Sequence, residues 1–282
     1  MAASIHPTAV VDPSAELADG VEIGPHAVIG ARVRIGAGTS VGAGAQVYGP
    51  TTIGAGNRIF PMTAIGFEPQ DVKFGGEDVF LEIGDRNQFR ELTTVHRGTG
   101  KGGGVTRIGD DNYFLAYSHV AHDCQVGNRT LFVNNATLAG HVDVEDDATI
   151  GAFSSVHQFC RVGRHAYIGG YTVLTLDALP YCKTVGQKPL CYGLNSIGLK
   201  RKGFDTEAVA RLGKALRVLL RSKLSQEEAL ARLAVEFAGF DEVEHLAAFV
   251  ARSARGVVKG LPGRRGGRGG GGESGGEEGG GE

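Results

Sequence analysis

Several features common in proteins are scarce or missing in this sequence, and each gap excludes a class of protein. There are only nine prolines beside 46 glycines, and glycine does not recur at every third position, which excludes a collagen triple helix. No stretch approaches the ~18 apolar residues that a membrane-spanning helix needs. The N-terminus also lacks the basic patch and apolar run of a signal peptide. The sequence therefore predicts no membrane span and a cytoplasmic location.

Cysteine and net charge are also low. The four cysteines, Cys124, Cys160, Cys182 and Cys191, form no Cys-x-x-Cys pair, so reduced thiols in a cytosolic protein are expected. A formal net charge of −2 predicts that the protein does not hold nucleic acid or an acidic membrane by its overall charge. Any anionic ligand must therefore be held by local groups.

What the sequence does contain is a repeat of six residues. Apolar residues occupy every sixth position in three uninterrupted runs, Ile5 to Ile65, Ile83 to Val95 and Ile108 to Leu174, although they make up only 41% of the chain. A period of six fits neither an α-helix nor an alternating strand. It fits a solenoid in which each hexad supplies one short strand and one corner. Three hexads then close a triangular coil of about eighteen residues, and successive coils stack as parallel strands.

The repeat also divides the chain. The hexads predict a parallel β-helix over residues 1–190. Two breaks in the frame, near 66–82 and 97–107, are expected to leave the coil as loops, which in solenoids often lie on the binding face. The second break is rich in glycine and is expected to be flexible. Glycine often follows the inward-pointing aliphatic residue, as at Gly24 and Gly151, and such small residues are expected to let the chain turn.

Helical periodicity replaces the hexads in residues 191–260. Asp205 opens the first amphipathic segment, Ser225 and Glu228 form a capping box before the second, and a third runs from near Asp241 to Ala254. These helices predict a small domain that caps the open edge of the solenoid. Residues 261–282 consist almost wholly of Gly, Arg, Glu and Ser, a composition typical of a disordered tail.

Five of the nine histidines gather in one part of the solenoid. They are His96, His119, His122, His141 and His157. In coils of about eighteen residues, the column that starts at His122 passes Gly140 and His141 and then His157 and Gln158. Imidazole titrates near neutral pH and is costly to bury without a partner, so this cluster predicts a functional site. A hydrated histidine ladder that stabilises the corners is the structural alternative.

The cluster suits two kinds of chemistry. A neutral imidazole can act as a general base toward a hydroxyl group. Imidazole is also the commonest metal ligand, so histidines on a β-helix could bind zinc, which would make the chain a zinc enzyme like the γ-class carbonic anhydrases. His119 and His122 are too close in sequence to point the same way comfortably on a strand, and no carboxylate-bearing ligand set is evident. We therefore expect no metal site.

Longer strings around these histidines resemble the UDP-N-acetylglucosamine O-acyltransferases of lipid A biosynthesis. The resemblance covers residues 5 to about 259 and includes Gln70-Asp71-Val72-Lys73, Thr94-Val95-His96-Arg97-Gly98-Thr99, Ala121-His122-Asp123-Cys124, Asn134-Asn135-Ala136-Thr137-Leu138-Ala139-Gly140-His141-Val142 and Val156-His157-Gln158-Phe159-Cys160. It implies a left-handed parallel β-helix with a C-terminal α-helical domain. It also implies a homotrimer with active sites in clefts between neighbouring subunits.

The activity implied by the resemblance is the first step of lipid A biosynthesis. An (R)-3-hydroxyacyl group would pass from the 4′-phosphopantetheine thioester of acyl carrier protein to the 3-hydroxyl of UDP-N-acetylglucosamine. Acyl carrier protein and the nucleotide sugar are then the expected partners, with no permanently bound cofactor. A related hexapeptide acyltransferase that N-acylates a UDP-3-amino sugar is one alternative. A structural or binding solenoid is another.

The resemblance also assigns roles to individual residues. It implies that His122 is the general base, that Asp123 steadies the imidazole, and that the backbone N–H of Gly140 binds the oxyanion. Adjacent side chains on a strand point apart, so Asp123 would need a corner conformation. The positions around the sugar and the acyl chain are Asp71, His96, His119 and His141. The positions near the nucleotide or the donor are Gln70, Lys73, His157, Gln158, Asn195, Arg201 and Lys202.

The chain departs from the pattern of this family at three positions. Ile197 stands where a glutamate is frequent, Lys202 replaces an arginine, and Lys188 replaces a histidine. Gly170 matches the position that gates acyl length, and its missing side chain leaves room for a longer chain. Residues 200–202 form a basic patch suited to steering acidic acyl carrier protein.

Overall fold

The hexads fold into three parallel sheets that form the sides of a solenoid. The computed structural model describes residues 2–260. The predicted disordered tail, 261–282, lies outside these residues. The first sheet contains the strands Ser4–Ile5, Glu22–Ile23, Ser40–Val41, Arg58–Ile59, Gln88–Phe89, Tyr113–Phe114, Leu131–Phe132, Thr149–Ile150, Tyr167–Ile168, Cys182–Val185 and Leu190–Leu194.

The other two sides have the same construction. The second sheet contains Val10–Val11, Val28–Ile29, Gln46–Val47, Ala64–Phe67, Thr94–His96, His119–Val120, Thr137–Leu138, Ser155–Val156 and Val173–Leu174. The third sheet contains Glu16–Leu17, Val33–Ile35, Thr51–Ile53, Phe80–Ile83, Val105–Ile108, Gln125–Val126, Asp143–Val144 and Arg161–Val162. Up to Cys182–Val185, consecutive strands of the chain thus belong to different sheets, and each strand pairs with its equivalent one coil away. This is the architecture that the six-residue period predicts.

The aliphatic and aromatic residues of the repeat point inward and form the core. Leu138, for example, is fully buried and pairs with Val156 on the next coil. Phe114 stacks between Phe89 and Phe132, with ring centroids 4.8 and 4.6 Å apart. The first coil is the exception because no further coil covers it: Ile5 is 47% exposed, and Val11 and Leu17 are half-buried. Burial of this continuous apolar column is the main stabilising term of the solenoid.

Glycine turns the chain at only a few corners, Gly20, Gly38, Gly44 and Gly56, so that expectation is confirmed only in part. Within residues 2–260, seventeen non-glycine residues have a positive φ, and the large side chains of His26, Tyr117 and Phe153 are among them. The glycines that follow the aliphatic residues are needed for a different reason, which is the close approach of the next coil. A Cβ on Gly36 would lie 2.5 Å from the carbonyl carbon of Gly54, which belongs to the next coil. These glycines therefore let neighbouring coils approach each other.

Both insertions leave the coil on the stretch of chain that follows a strand of the second sheet. The loops occupy residues 68–79 and 97–104, so they are shorter than the two breaks in the sequence frame. The flanking strands extend into those breaks because their backbone groups find partners there. Leu81 pairs with both Thr51 and Thr106 in the third sheet. The insertions are therefore confined to residues 68–79 and 97–104.

An antiparallel hairpin and four helices close the last coil. Strands Cys182–Val185 and Leu190–Leu194 pair in antiparallel fashion. The helices are α1 Ser196–Arg201, α2 Thr206–Arg221, α3 Gln226–Glu236 and α4 Asp241–Ala251. The capping box of Ser225 and Glu228 is confirmed, whereas α4 ends three residues before the predicted end at Ala254 and α1 was not predicted. Within residues 2–260, no helix is both long enough and apolar enough to cross a bilayer.

Polar contacts fix the helices to the end of the solenoid. His245 on α4 lies 2.8 Å from a carboxylate oxygen of Glu145, and Arg161 donates to the carbonyl oxygen of Phe249 at 3.2 Å. The Arg161 guanidinium also covers the Phe249 ring at 4.1 Å. Leu212, Leu216 and Leu233 are buried beneath the helices. The helical segment therefore covers the exposed edge of the last coil.

Candidate active site

The histidine cluster lies at the corner where the chain passes from the second sheet to the third. Successive coils place His122, Gly140 and Gln158 one above another at this corner. The residues that follow them, Asp123, His141 and Phe159, have φ values of 61°, 60° and 63°. Because the coils stack in strict register, side chains that are far apart in sequence meet at one edge.

Asp123 is in hydrogen-bond contact with the imidazole of His122. Nδ1 of His122 lies 2.8 Å from Oδ2 of Asp123, and the Asp123 side chain is fully buried while that of His122 is 14% exposed. The positive φ of Asp123 turns its carboxylate back toward the preceding residue, which is the corner conformation that this contact requires. A carboxylate that accepts from Nδ1–H leaves Nε2 as the proton acceptor of the ring.

Two threonines that sequence reasoning missed also hold Asp123. The backbone N–H of Thr99 donates to Oδ1 at 2.9 Å, and the Thr99 hydroxyl donates to Oδ2 at 2.7 Å. The backbone N–H of Asp123 donates to Oγ1 of Thr106 at 2.8 Å. Thr99 belongs to the glycine-rich loop 97–104, whose composition indicated flexibility and not contact with the histidine cluster.

Gly140 stands against the face of the His122 ring. A Cβ at position 140 would overlap Cε1 of His122 and lie 2.7 Å from Nε2. The neighbouring N–H groups of Ala139 and His141 donate to the carbonyl oxygens of Val156 and His122. Within residues 2–260 the N–H of Gly140 has no such acceptor. A backbone donor is thus available beside Nε2 of the candidate base.

Three more imidazoles, those of His96, His119 and His141, belong to the same cluster as His122. The rings of His122 and His141 meet edge to face at 5.1 Å, as do those of His96 and His119. Burial, with smaller effects from His119 and His122, lowers the pKa of His96 to about 4. Burial and the neighbouring His122 also lower the pKa of His119. His96 and His119 are therefore neutral at pH 7 and can act as hydrogen-bonding groups without adding charge.

A cavity of about 710 Å³ opens beside His96. Its lining includes Tyr48, Phe67, Gln70, His96 and Arg97. Nδ1 of His96 and Nε of Arg97 are buried and have no hydrogen-bond partner among the described residues. Buried polar atoms without partners are costly, so this cavity is suited to a polar ligand that supplies them.

The His122 corner could also hold a metal ion. One ligand atom each from His122, Asp123 and His141 lies within 4.8 Å of the others. The expectation that no carboxylate joins the histidines is therefore wrong. It failed because the positive φ of Asp123, which points its carboxylate at two imidazoles, cannot be read from the sequence.

The comparisons with known proteins identify the family. A family model described as UDP-N-acetylglucosamine O-acyltransferase, domain 2, matches residues 177–258. The acyl-[acyl-carrier-protein]–UDP-N-acetylglucosamine O-acyltransferase of Anaeromyxobacter sp. (strain K) is 52% identical over 256 residues, which cover 91% of this chain and 100% of that protein. The chain belongs to the UDP-N-acetylglucosamine O-acyltransferase family. The fold and family predicted from the sequence are both confirmed.

Other members of the family support the same conclusion. The enzyme of the same name from Alkalilimnicola ehrlichii is 53% identical over 255 residues, covering 90% of this chain and 99% of that protein. The UDP-N-acetylglucosamine acyltransferase structure from Francisella novicida matches with a TM-score of 0.87 and 37% identity, covering 90% of this chain and 94% of that one. The Acinetobacter baumannii structure has a TM-score of 0.88 and 37% identity, covering 90% and 99%.

Five of the site residues predicted from the sequence lie on the coil next to Gly140 or on the first loop. His157 and Gln158 are exposed on the coil above Gly140. Gln70, Asp71 and Lys73 lie on the loop 68–79, where Oδ1 of Asp71 accepts from the backbone N–H of Lys73 at 3.0 Å. Gln70 reaches the cavity beside His96.

Other site residues predicted from the sequence lie at different corners of the solenoid. Nζ of Lys202 lies 2.7 Å from Asp147, at the corner between the third and first sheets, and Asn195 donates to the carbonyl of His165 there. Arg201 is the last residue of α1, and its side chain is exposed. Gly170 is exposed at the corner between the first and second sheets. A single chain therefore does not gather these residues around His122.

The three departures from the family pattern all lie on the surface. Ile197 is 70% exposed on α1, and Lys188 is exposed in the hairpin between the last two strands. Lys202 keeps a positive charge beside Asp147. None of the three touches the His122 corner, so the arrangement of the candidate base is independent of them.

Proposed function

We propose that this acyltransferase moves an (R)-3-hydroxyacyl group from acyl carrier protein to the 3-hydroxyl of UDP-N-acetylglucosamine, the first step of lipid A biosynthesis. The observation that carries the proposal is the corner at which Asp123 holds Nδ1 of His122 while Gly140 faces Nε2. The acyl donor arrives on the 4′-phosphopantetheine of the carrier protein. The pantetheine is thus part of a substrate and not a resident cofactor.

The first step is an attack by the sugar hydroxyl. A sugar hydroxyl is a weak nucleophile, so Nε2 of His122 removes its proton as the oxygen bonds to the thioester carbonyl carbon. Asp123 stabilises the imidazolium that forms, because its carboxylate accepts from Nδ1–H. The carbonyl oxygen becomes an oxyanion that accepts from the backbone N–H of Gly140.

The second step breaks the thioester. The oxyanion reforms the carbonyl, the carbon–sulfur bond breaks, and the pantetheine thiolate takes the proton from Nε2 of His122. The products are the O-acylated nucleotide sugar and the free thiol of the carrier protein, and His122 returns to its neutral form. No redox partner is needed.

The remaining site positions are proposed to bind the substrates. Asp71, His96, His119 and His141 would surround the sugar and the acyl chain. The uncharged state of His96 and His119 suits hydroxyl and amide partners. Gln70, Lys73, His157 and Gln158 would contact the nucleotide or the donor. Residues 200–202 would attract the acidic carrier protein.

A homotrimer would complete the site. Asn195, Arg201 and Lys202 lie at a different corner from His122. A neighbouring copy would therefore have to supply these residues to the nucleotide bound beside His122. A row of side chains more than half exposed runs along the corner between the first and second sheets, next to Gly170. The row consists of Met62, Tyr117, Phe153 and Tyr171. An exposed apolar row of this kind supports a subunit interface. A cytoplasmic location stays a prediction.

The test is incubation of the protein with UDP-N-acetylglucosamine and a panel of (R)-3-hydroxyacyl carrier proteins of different chain lengths, followed by mass analysis. We expect the nucleotide sugar to gain the mass of one hydroxyacyl group, in an ester that alkali cleaves. A parallel incubation uses the UDP-3-amino sugar. Product from the amine alone would contradict O-acylation and favour the N-acyltransferase.

Metal analysis of the same preparation examines the zinc alternative. Zinc bound in one-to-one ratio through His122, Asp123 and His141 would contradict the role of His122 as a base, because a metal would occupy the nitrogen or its carboxylate partner. We expect acyl transfer to continue at an unchanged rate after treatment with a chelator.

A further inference from the structure

The glycine-rich loop 97–104 contacts the carboxylate that holds His122. Thr99 donates to both carboxylate oxygens of Asp123, through its backbone N–H to Oδ1 and through its hydroxyl to Oδ2. Oδ2 is also the oxygen that faces Nδ1 of His122. One residue of the loop therefore determines the orientation of the carboxylate plane.

Thr99 is itself firmly held. It is 5% exposed, and its carbonyl oxygen accepts from the N–H groups of Gly102 and Gly104 at 3.0 and 2.9 Å. Its hydroxyl oxygen accepts a further bond from Gly102 at 3.2 Å. The loop thus closes into a small hydrogen-bonded unit.

Gly102 lies in direct contact with the Asp123 carboxylate, so the loop packs closely against it. A Cβ at position 102 would overlap the carboxylate carbon and both carboxylate oxygens of Asp123. At Gly100, two residues earlier, a Cβ would meet only the flexible side chain of Glu77, at 3.3 Å from its Cγ. The glycine at 102 is therefore required for the loop to lie on the carboxylate.

We propose that Thr99 is a positioning residue, which acts through Asp123 to orient the imidazole of His122. This inference rests on the proposed function, because it assigns a consequence to the orientation of the base. Asp123 can rotate about its terminal torsion unless both oxygens are fixed. With Thr99 bound, Oδ2 points at Nδ1, and Nε2 is aimed at the substrate hydroxyl.

The direct test compares Thr99→Val with Thr99→Ser. Valine has nearly the shape of threonine but lacks the hydroxyl donor, whereas serine keeps it. We expect Thr99→Val to lower kcat by about 10- to 100-fold with KM changed less than about twofold. The variant loses the hydrogen bond from the Thr99 hydroxyl to the Asp123 carboxylate, whereas the contacts to the substrates remain. Thr99→Ser should restore kcat to within about threefold of the wild type.

A double-mutant cycle separates positioning from a purely structural role. Asp123→Asn removes the charge that Thr99 orients. If Thr99 acts through Asp123, Thr99→Val should have little further effect on kcat in the Asp123→Asn background. Additive losses of kcat in the cycle would overturn the proposal, since they would mean that Thr99 acts independently of Asp123.

Gly102→Ala provides a second route if Thr99→Val does not fold. We expect Gly102→Ala to lower kcat at least 10-fold, whereas the matched control Gly100→Ala keeps wild-type kcat. Equal activity of the two alanine variants would overturn the proposal. Failure of the proposed function has a different signature, because the wild-type enzyme itself would then show no transfer that depends on His122.

Discussion

Oδ2 of Asp123 lies 2.8 Å from Nδ1 of His122, although the two residues are neighbours in the chain. On a strand their side chains would point to opposite faces. The left-handed φ of 61° at Asp123 folds the carboxylate back over the preceding peptide. A single corner of the solenoid thus supplies the base and its orienting group, and the next coil adds Gly140 beside the free nitrogen.

Gly140→Ala is expected to inactivate the enzyme without unfolding it. The added methyl group would overlap Cε1 of His122 and displace the ring from its position beside Asp123. We expect kcat to fall about 100-fold, a loss comparable to removal of an oxyanion donor. The melting temperature should change by only a few degrees.

Gly213→Ala is the matched control for that variant. Gly213 lies on α2, and a Cβ there would meet Leu194 at an ordinary contact distance of 3.7 Å. Wild-type kcat is expected. If Gly140→Ala behaves like this control, the close approach of residue 140 to the imidazole has no role in turnover.

Gly170→Leu is expected to shift donor preference toward shorter acyl chains. Gly170 is exposed beside the apolar row at the corner between the first and second sheets, where a larger side chain would fill space. Competition between carrier proteins that bear different acyl lengths measures the shift. The preference for the favoured long chain over a shorter one should fall at least 10-fold. An unchanged preference would show that position 170 does not gate chain length.

His96 is expected to make the protein less stable in acid. Burial lowers the pKa of His96 to about 4, whereas an imidazole in the unfolded chain titrates near 6.5. Between these two values the unfolded state binds a proton that the folded state does not. The contribution of His96 to the free energy of unfolding is therefore at its full value above about pH 6.5 and decreases as the pH falls toward 4.

The measurement is the melting temperature of wild type and His96→Gln from about pH 7 to about pH 4.5. Glutamine does not titrate in this range, so the variant should lose less stability across it than the wild type does. Parallel curves would contradict the assignment of a depressed pKa to His96.

Phe114→Ala is expected to destabilise the solenoid by about 3–5 kcal/mol. Phe114 is fully buried between the rings of Phe89 and Phe132, and the coils are too rigid to close the space that it leaves. Urea denaturation measures the change. Val235→Ala on α3 is the control, because Val235 is 82% exposed and its truncation should cost less than about 0.5 kcal/mol. Similar losses for both variants would contradict the core assignment.

The sequence predicted those parts of the molecule that follow a local period. Hexads located the strands because each inward aliphatic residue is buried by its own coil, and the capping box of Ser225 located α3. Six residues are too few for a helical period to be visible, which is why α1 was missed. Large residues at the corners were unexpected because tertiary hydrogen bonding between coils overrides their preference for negative φ.

The site was predictable only in part, for a similar reason. Register placed Gly140 and His141 beside His122 because coils stack at a fixed spacing. Thr99 reaches Asp123 from an inserted loop whose path follows no period, so its contact could not be read from spacing. The bridge between Lys202 and Asp147 joins the helical segment to the solenoid in the same way.

The central claim is that His122 removes a proton from the sugar hydroxyl, and the most direct measurement is the single-turnover rate of acyl transfer by His122→Ala. Removal of a general base should lower this rate by about 10²- to 10⁴-fold while the melting temperature stays near that of the wild type. His6→Ala, at an exposed histidine in the first coil, should transfer at the wild-type rate. A folded His122→Ala enzyme with an undiminished rate would contradict the mechanism.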